Sequence, residues 1–364
     1  MRRCLVLIAS FAVACAAPAA LPSSTTHVVP GAITRVGSMA APKATHTATR
    51  LRDGRVLITG GYDGSCHIRE TELFMPSTLT FGEGPALAVP RCDHTATLLD
   101  DDRVLVAGGL NVRDALRSAE LFEPARGAFV PTGDMSEPRD GPTATRLRDG
   151  TVLVAGGIDG ARYLATAERY DPLTGTFHRV GDMHAARMAH TATLLADGRV
   201  LVAGGSSARG RIEASAELFD PATGTFSETK PMTVARYKHA AIALPDGRVL
   251  VTGGSDARDF AGRYASAEIF DPRDRSFRPA AAMMAARYKL PAALALLPSG
   301  EVLVAGGAAT AELFDGTAFR AVTGSLDASW SFATATVLAN GDVLVTGGYD
   351  DRIRPTAGAW LFRR

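Results

Sequence analysis

The sequence predicts an all-β fold, a seven-bladed β-propeller. Three observations carry that expectation: a glycine pair that recurs seven times, four β-prone runs within each repeat, and an N-terminal segment that supplies the one strand the last repeat lacks. The pairs are Gly60-Gly61, Gly108-Gly109, Gly156-Gly157, Gly204-Gly205, Gly253-Gly254, Gly306-Gly307 and Gly347-Gly348. Their starts lie 48, 48, 48, 49, 53 and 41 residues apart, so one supersecondary unit has been copied down the chain.

The fourth unit shows the whole phrase. His190 to Leu195 is rich in Thr and Ala, small residues that suit a crowded innermost strand (strand a). Asp197-Gly198 then reads as a two-residue type I′ hairpin, and it recurs as Asp53-Gly54, Asp149-Gly150 and Asp246-Gly247, with Ser299-Gly300 and Asn340-Gly341 as variants. Only Asp100-Asp101-Asp102 lacks the glycine. Val200 to Ala203 is apolar on successive residues, as expected of a strand covered on both faces (strand b). Ala216 to Asp220 is strand c; Pro221 and Gly224 mark a second turn, and Phe226 restarts the outer strand d.

Counting strands predicts how the ring closes. The chain stops after Ala359-Trp360-Leu361-Phe362, a seventh strand c with no strand d behind it. Gly31 to Met39 matches Gly175 to Met183, so the N-terminal segment is expected to complete the last blade and to remove a free sheet edge.

These residues resemble the kelch repeat family: a glycine pair after an apolar strand, a Glu-Leu-Phe-Asp-Pro strand, then a Gly-Thr-Phe strand. The resemblance covers about residues 31 to 364 and is specific for fold more than for function. It implies a binding module, or alternatively a carbohydrate-active enzyme of sialic-acid mutarotase type; the third activity of such propellers, copper oxidation, lacks its ligand pattern here.

The chain carries 39 basic and 38 acidic side chains. So even a balance gives no field that would imply nucleic acid or an anionic membrane as partner. Met1-Arg2-Arg3 and the apolar run to Ala14 read as a signal peptide over residues 1–14. Phe11 to Cys15 is similar to a bacterial lipobox, which would make Cys15 the lipidated first residue; small residues there also allow ordinary cleavage. Residues 15–30 are then a flexible tether, 31–364 the propeller, and the protein is exported: an outer-membrane lipoprotein, or periplasmic or extracellular. A lipid on Cys15 would be its one membrane attachment. An oxidising compartment permits a Cys66–Cys92 disulfide, with two free thiols as the alternative.

Comparing the repeats with one another separates shared residues from singular ones. A basic residue precedes strand a in six units: Lys43, Arg91, Arg139, Arg187, Arg236, and Arg287 or Lys289. A glutamate starts strand c in six: Glu72, Glu120, Glu168, Glu217, Glu268 and Glu312. Both change together in the seventh, to Trp330 and Trp360, which predicts that each glutamate pairs with the basic group of its own blade. His46, His94, His190 and His239 share one position, taken elsewhere by Pro142, Ala292 and Ala333; a structural role is expected of them, no metal and no cofactor.

The least repeat-like residues are Arg236, Tyr237, Lys238, Arg287, Tyr288, Lys289 and Trp330, with Phe260, Arg263 and Tyr264 on the longest loop of its class. All are expected on one face, where aromatic rings and cations suit a protein or glycan ligand at the cell envelope. No catalytic residue is assigned, and a monomer is expected.

Overall fold

The computed structural model describes residues 31–364, and the signal peptide, lipobox and tether predicted for residues 1–30 lie outside them. Among the described residues seven blade sheets follow one another, six of them made of four antiparallel strands, and a two-stranded ribbon, Ile158–Asp159 with Arg162–Tyr163, stands in the b–c loop of blade 3. In blade 4 these are Thr191–Leu194, Val200–Ala203, Ala216–Asp220 and Thr225–Glu228, strands a to d from the axis outward. The inner strands of neighbouring blades approach one another all the way round, the seventh meeting the first.

Strand b is buried along its whole length because both of its faces are covered. Val200 and Val202 pack with Leu153 and Ala155 of blade 3, whereas Leu201 and Ala203 pack with Val249 and Val251 of blade 5. The core is thus a series of apolar layers between blades. On the outer half, residues opposite one another on strands c and d stack as tilted aromatic pairs, such as Phe219 and Phe226 with centroids 5.0 Å apart.

The last sheet is closed by the N-terminus, as the strand count predicts. Ala32–Ser38 pairs antiparallel with Gly358–Phe362, in register from Ile33 opposite Phe362 to Ser38 opposite Gly358, with a bulge between Arg35 and Gly37. Thr323–Gly324 runs parallel beside it and covers its outer edge. Met39, Val56 and Phe74 then pack against Leu338, Leu344 and Leu361, so an apolar layer like the others spans the junction of the last and first blades.

The Asp-Gly hairpins differ from the two-residue type I′ form. The Leu51 amide donates to the Arg55 carbonyl at 2.8 Å and the Gly54 amide to the Leu51 carbonyl at 3.1 Å, which makes a three-residue loop. Gly54 takes the left-handed position at φ +90°. Asp53 does not, because its carboxylate accepts the Arg55 amide at 3.0 Å and holds a local turn. In the unit without the glycine, Asp102 occupies that position at φ +71°.

The glycine pair owes its recurrence to the next blade. Gly204 has φ +63°, and a Cβ on it would lie 2.5 Å from the Arg236 carbonyl and 2.7 Å from the His239 ring. Gly224, in the c–d turn, has a similar φ of +68° but open space around it. Gly224→Ala is expected to cost about 1–2 kcal/mol for left-handed backbone alone, and Gly204→Ala clearly more because the blades must move apart. Urea unfolding of the two variants checks this, and equal losses would mean that only φ selects the glycine.

Candidate functional site

The b–c loops and the segments leading into strand a emerge together on one face, around the axis. The residue before each strand a does two things there. Its carbonyl accepts the amide of the second glycine of the preceding blade, at 2.8–2.9 Å in all seven junctions, from Gly61 on Arg91 round to Gly348 on Lys43. Its side chain grips its own blade: Arg187 donates to the Gly204 carbonyl at 2.7 Å and to Glu217 at 2.7 Å.

The six predicted ion pairs all form. Lys43–Glu72, Arg91–Glu120, Arg139–Glu168, Arg187–Glu217, Arg236–Glu268 and Arg287–Glu312 lie at 2.7–3.1 Å. The second oxygen of each glutamate accepts a backbone amide from the d–a loop, as Glu217 does from His184 at 2.7 Å. In the seventh blade the Trp330 and Trp360 rings pack with centroids 5.9 Å apart, and the Trp330 carbonyl still accepts the Gly307 amide.

This arrangement corrects the predicted ligand-binding group. Arg236 and Arg287 have no exposed surface, and their guanidiniums are committed to glutamate and carbonyl partners. Trp330 packs against the apolar layer between blades 6 and 7, and the Tyr264 ring lies against Arg236. The mutarotase reading relied on arginines, histidines and glutamates at the mouth, and these arginines and glutamates are held in the ion pairs.

The four histidines bolt each blade to the one before it. The Nε2 atoms of His46, His94, His190 and His239 lie 2.9–3.1 Å from Thr346, Thr47, Thr143 and Thr191, each on the preceding blade. Their place in blade 6 is filled not by Ala292 but by Leu290, whose methyl group would lie 2.9 Å from a Cβ on Gly253. Leu290 and Pro291 are two extra residues before strand a of that blade, which is why alignment by sequence skipped them. Burial, then the charge of Lys43 or Arg187, lowers His46 and His190 to about 3. His94 and His239 are lowered likewise, and no group of three or more metal-ligating side chains forms among the described residues.

Tyr237, Lys238, Tyr288 and Lys289 do come together, beneath the loop that carries Phe260 and Arg263. That loop ends in a short 3-10 turn, Asp259–Gly262, and Asp259 holds φ +51° there. Its carboxylate accepts from Lys238 at 3.0 Å and from the Tyr237 hydroxyl at 2.9 Å, with Lys289 at 3.9 Å. Burial lowers Lys238 against the pull of Asp259, while burial and then Asp259 push Tyr288 up to about 12. Phe260 is 43% exposed, and the Arg263 guanidinium stacks 3.9 Å from its ring centroid. Sequence reasoning missed Asp259, Phe332 and Tyr349; the two rings flank Lys289, at 6.0 and 5.1 Å.

Cys66 and Cys92 are joined as a disulfide that ties the b–c loop of blade 1 to the approach to strand a of blade 2, with Cα atoms 5.3 Å apart.

The unfolded chain takes up protons on these four histidines near pH 6.5 that the folded chain refuses, so they remove stability as pH falls from about 7 towards 3. NMR is expected to show four imidazoles that do not titrate between pH 8 and 5; any of the four titrating near 6.5 would contradict their burial as neutral bolts.

The family model described as the Kelch motif matches residues 144–184 and 187–233, which are blades 3 and 4 from their inner strands outward. No curated protein matches the chain. Two matched motifs, set among seven blades of one plan, place the chain in the kelch-repeat β-propeller family.

Proposed function

We propose that this propeller is a binding module of the cell envelope, exported by the segment ending near Cys15 and presenting the face of its b–c and d–a loops to a protein or glycan. The observation that carries the reading is the loop of blade 5. It raises an exposed Phe260 and a stacked Arg263 above Tyr237 and Lys238, and neither the Phe260 nor the Arg263 side chain recurs in the other blades. An aromatic ring with a guanidinium against it is the composition of an interface anchor, and cation and ring faces also suit an acidic sugar. The disulfide supports an oxidising compartment.

Kelch propellers commonly bind proteins, so a displayed peptide library and a glycan array are the direct screens. Ligands selected on the wild-type protein are expected to bind the Phe260→Ala, Arg263→Ala double variant at least about tenfold more weakly, a loss of ~1.4 kcal/mol, with no change in thermal stability. Binding that survives both substitutions would put the ligand elsewhere.

A further inference from the structure

At the centre of the same face, one residue per blade turns the chain towards the axis in left-handed conformation: Thr45, Asp93, Gly141, Ala189, Lys238, Lys289 and Phe332, with φ from +49° to +59°. All seven line an axial cavity of about 600 Å³. Backbone bonds link neighbours around this ring, among them the Lys238 amide to the Ala189 carbonyl at 2.9 Å and the Phe332 amide to the Lys289 carbonyl at 2.8 Å. Left-handed backbone costs every residue but glycine, yet only one of the seven is glycine. The side chains are therefore retained against a local preference.

Their charges are segregated. Asp93 and its neighbour Asp140 stand on blades 2 and 3, whereas Lys238 and Lys289 stand on blades 5 and 6, nearly opposite in a ring of seven. Among the described residues neither aspartate has an ion-pair partner, although each of the six strand c glutamates has one. The Oδ1 atom of Asp140 is buried without a hydrogen bond. The side chain of Asp93 has one hydrogen-bond contact, the Cys92 sulfur at 3.8 Å, which is tied up in the disulfide, and Lys238 acts on it from longer range. The two lysines share the single carboxylate of Asp259, at 3.0 and 3.9 Å, and Asp93 reaches Lys238 only from longer range. Buried polar groups are normally satisfied, and Asp140 differs from the orphan atoms of the frame in belonging to a charged side chain that lines a cavity.

We infer that the axial cavity binds a small linear zwitterion, its ammonium end at Asp93 and Asp140 and its carboxylate end at Lys238 and Lys289. The volume falls within the range of small-molecule sites, roughly 300–1,000 Å³. Two poles on opposite walls select for separated charges, so a short peptide with free termini or an ω-amino acid fits better than an α-amino acid, whose charges are adjacent. Each extended residue adds about 3.3–3.6 Å of reach. Burial and then Asp140 push Asp93 up to about 7 against the pull of Lys238, and burial pushes Asp140 up to about 6, so an ammonium seated between them would draw both back towards the ionised form. The site lies below the Phe260 loop and does not depend on that loop recruiting a macromolecule.

The test is calorimetric titration of the full folded domain with glycine, diglycine, triglycine, tetraglycine and 6-aminohexanoate, then with N-acetyltriglycine and triglycine amide. Binding is expected for at least one of the longer zwitterions and not for glycine, and each capped peptide should bind about tenfold or more weakly than its free parent. The Asp93→Asn, Asp140→Asn double variant should bind free and N-acetylated triglycine alike; asparagine tolerates the left-handed position, and a melting curve confirms folding. Failure of the whole series to bind, or capped peptides binding as tightly as free ones, overturns the proposal. The capped-peptide comparison uses wild-type protein, so it stands even if the variant does not fold.

Discussion

At each junction between blades one residue works in two directions. The carbonyl of the residue before strand a receives the glycine amide of the preceding blade, while its side chain clamps the glycine carbonyl and the strand c glutamate of its own blade. A buried guanidinium is costly unless it is paired and its protons are used. Here the terminal nitrogens of Arg91, Arg139, Arg187, Arg236 and Arg287 are paired with glutamate and carbonyl oxygens and the side chains sit with no exposed surface, although the Nε protons of Arg91, Arg139 and Arg236 are left without a partner. The glycine pair, the basic residue and the glutamate therefore form one unit, and none can change alone.

The seventh blade shows which half of that unit is indispensable. Trp330 and Trp360 replace the ion pair by ring packing, yet the Trp330 carbonyl keeps its bond to Gly307. Backbone geometry at the junction is thus constant, and the side chains above it are free to be polar or aromatic as long as the space is filled. Closure by residues 32–38 follows the same economy, since the first segment satisfies the edge that strand c of the last blade would otherwise expose.

Internal repetition made most of this legible. The spacing of the glycine pairs, the correlated loss of charge at Trp330 and Trp360, and the match of Gly31–Met39 to Gly175–Met183 pointed to seven blades, to the ion pairs and to the closing strand. Position in the repeat could not reveal side-chain commitment. Arg236 and Arg287 looked singular beside Tyr237 and Tyr288, but they are the repeat's own structural arginines. Asp259 was hidden because a loop residue in left-handed backbone has no periodic signature, and Leu290 because two inserted residues shift its blade out of register. The axial ring was missed for a different reason: its members share only a backbone angle, and Thr, Asp, Gly, Ala, Lys and Phe show no pattern until the turn is seen.

Seven equivalent junctions around one axis leave a mouth whose walls vary while its frame does not, which is the arrangement a recognition surface requires. The frame itself can be read amide by amide. Native-state hydrogen exchange of Gly61, Gly109, Gly157, Gly205, Gly254, Gly307 and Gly348 measures each junction separately. A closed ring requires all seven to be protected alike and to exchange only with global unfolding; fast exchange at Gly348, the junction of the last blade with the first, would show that the circle is open.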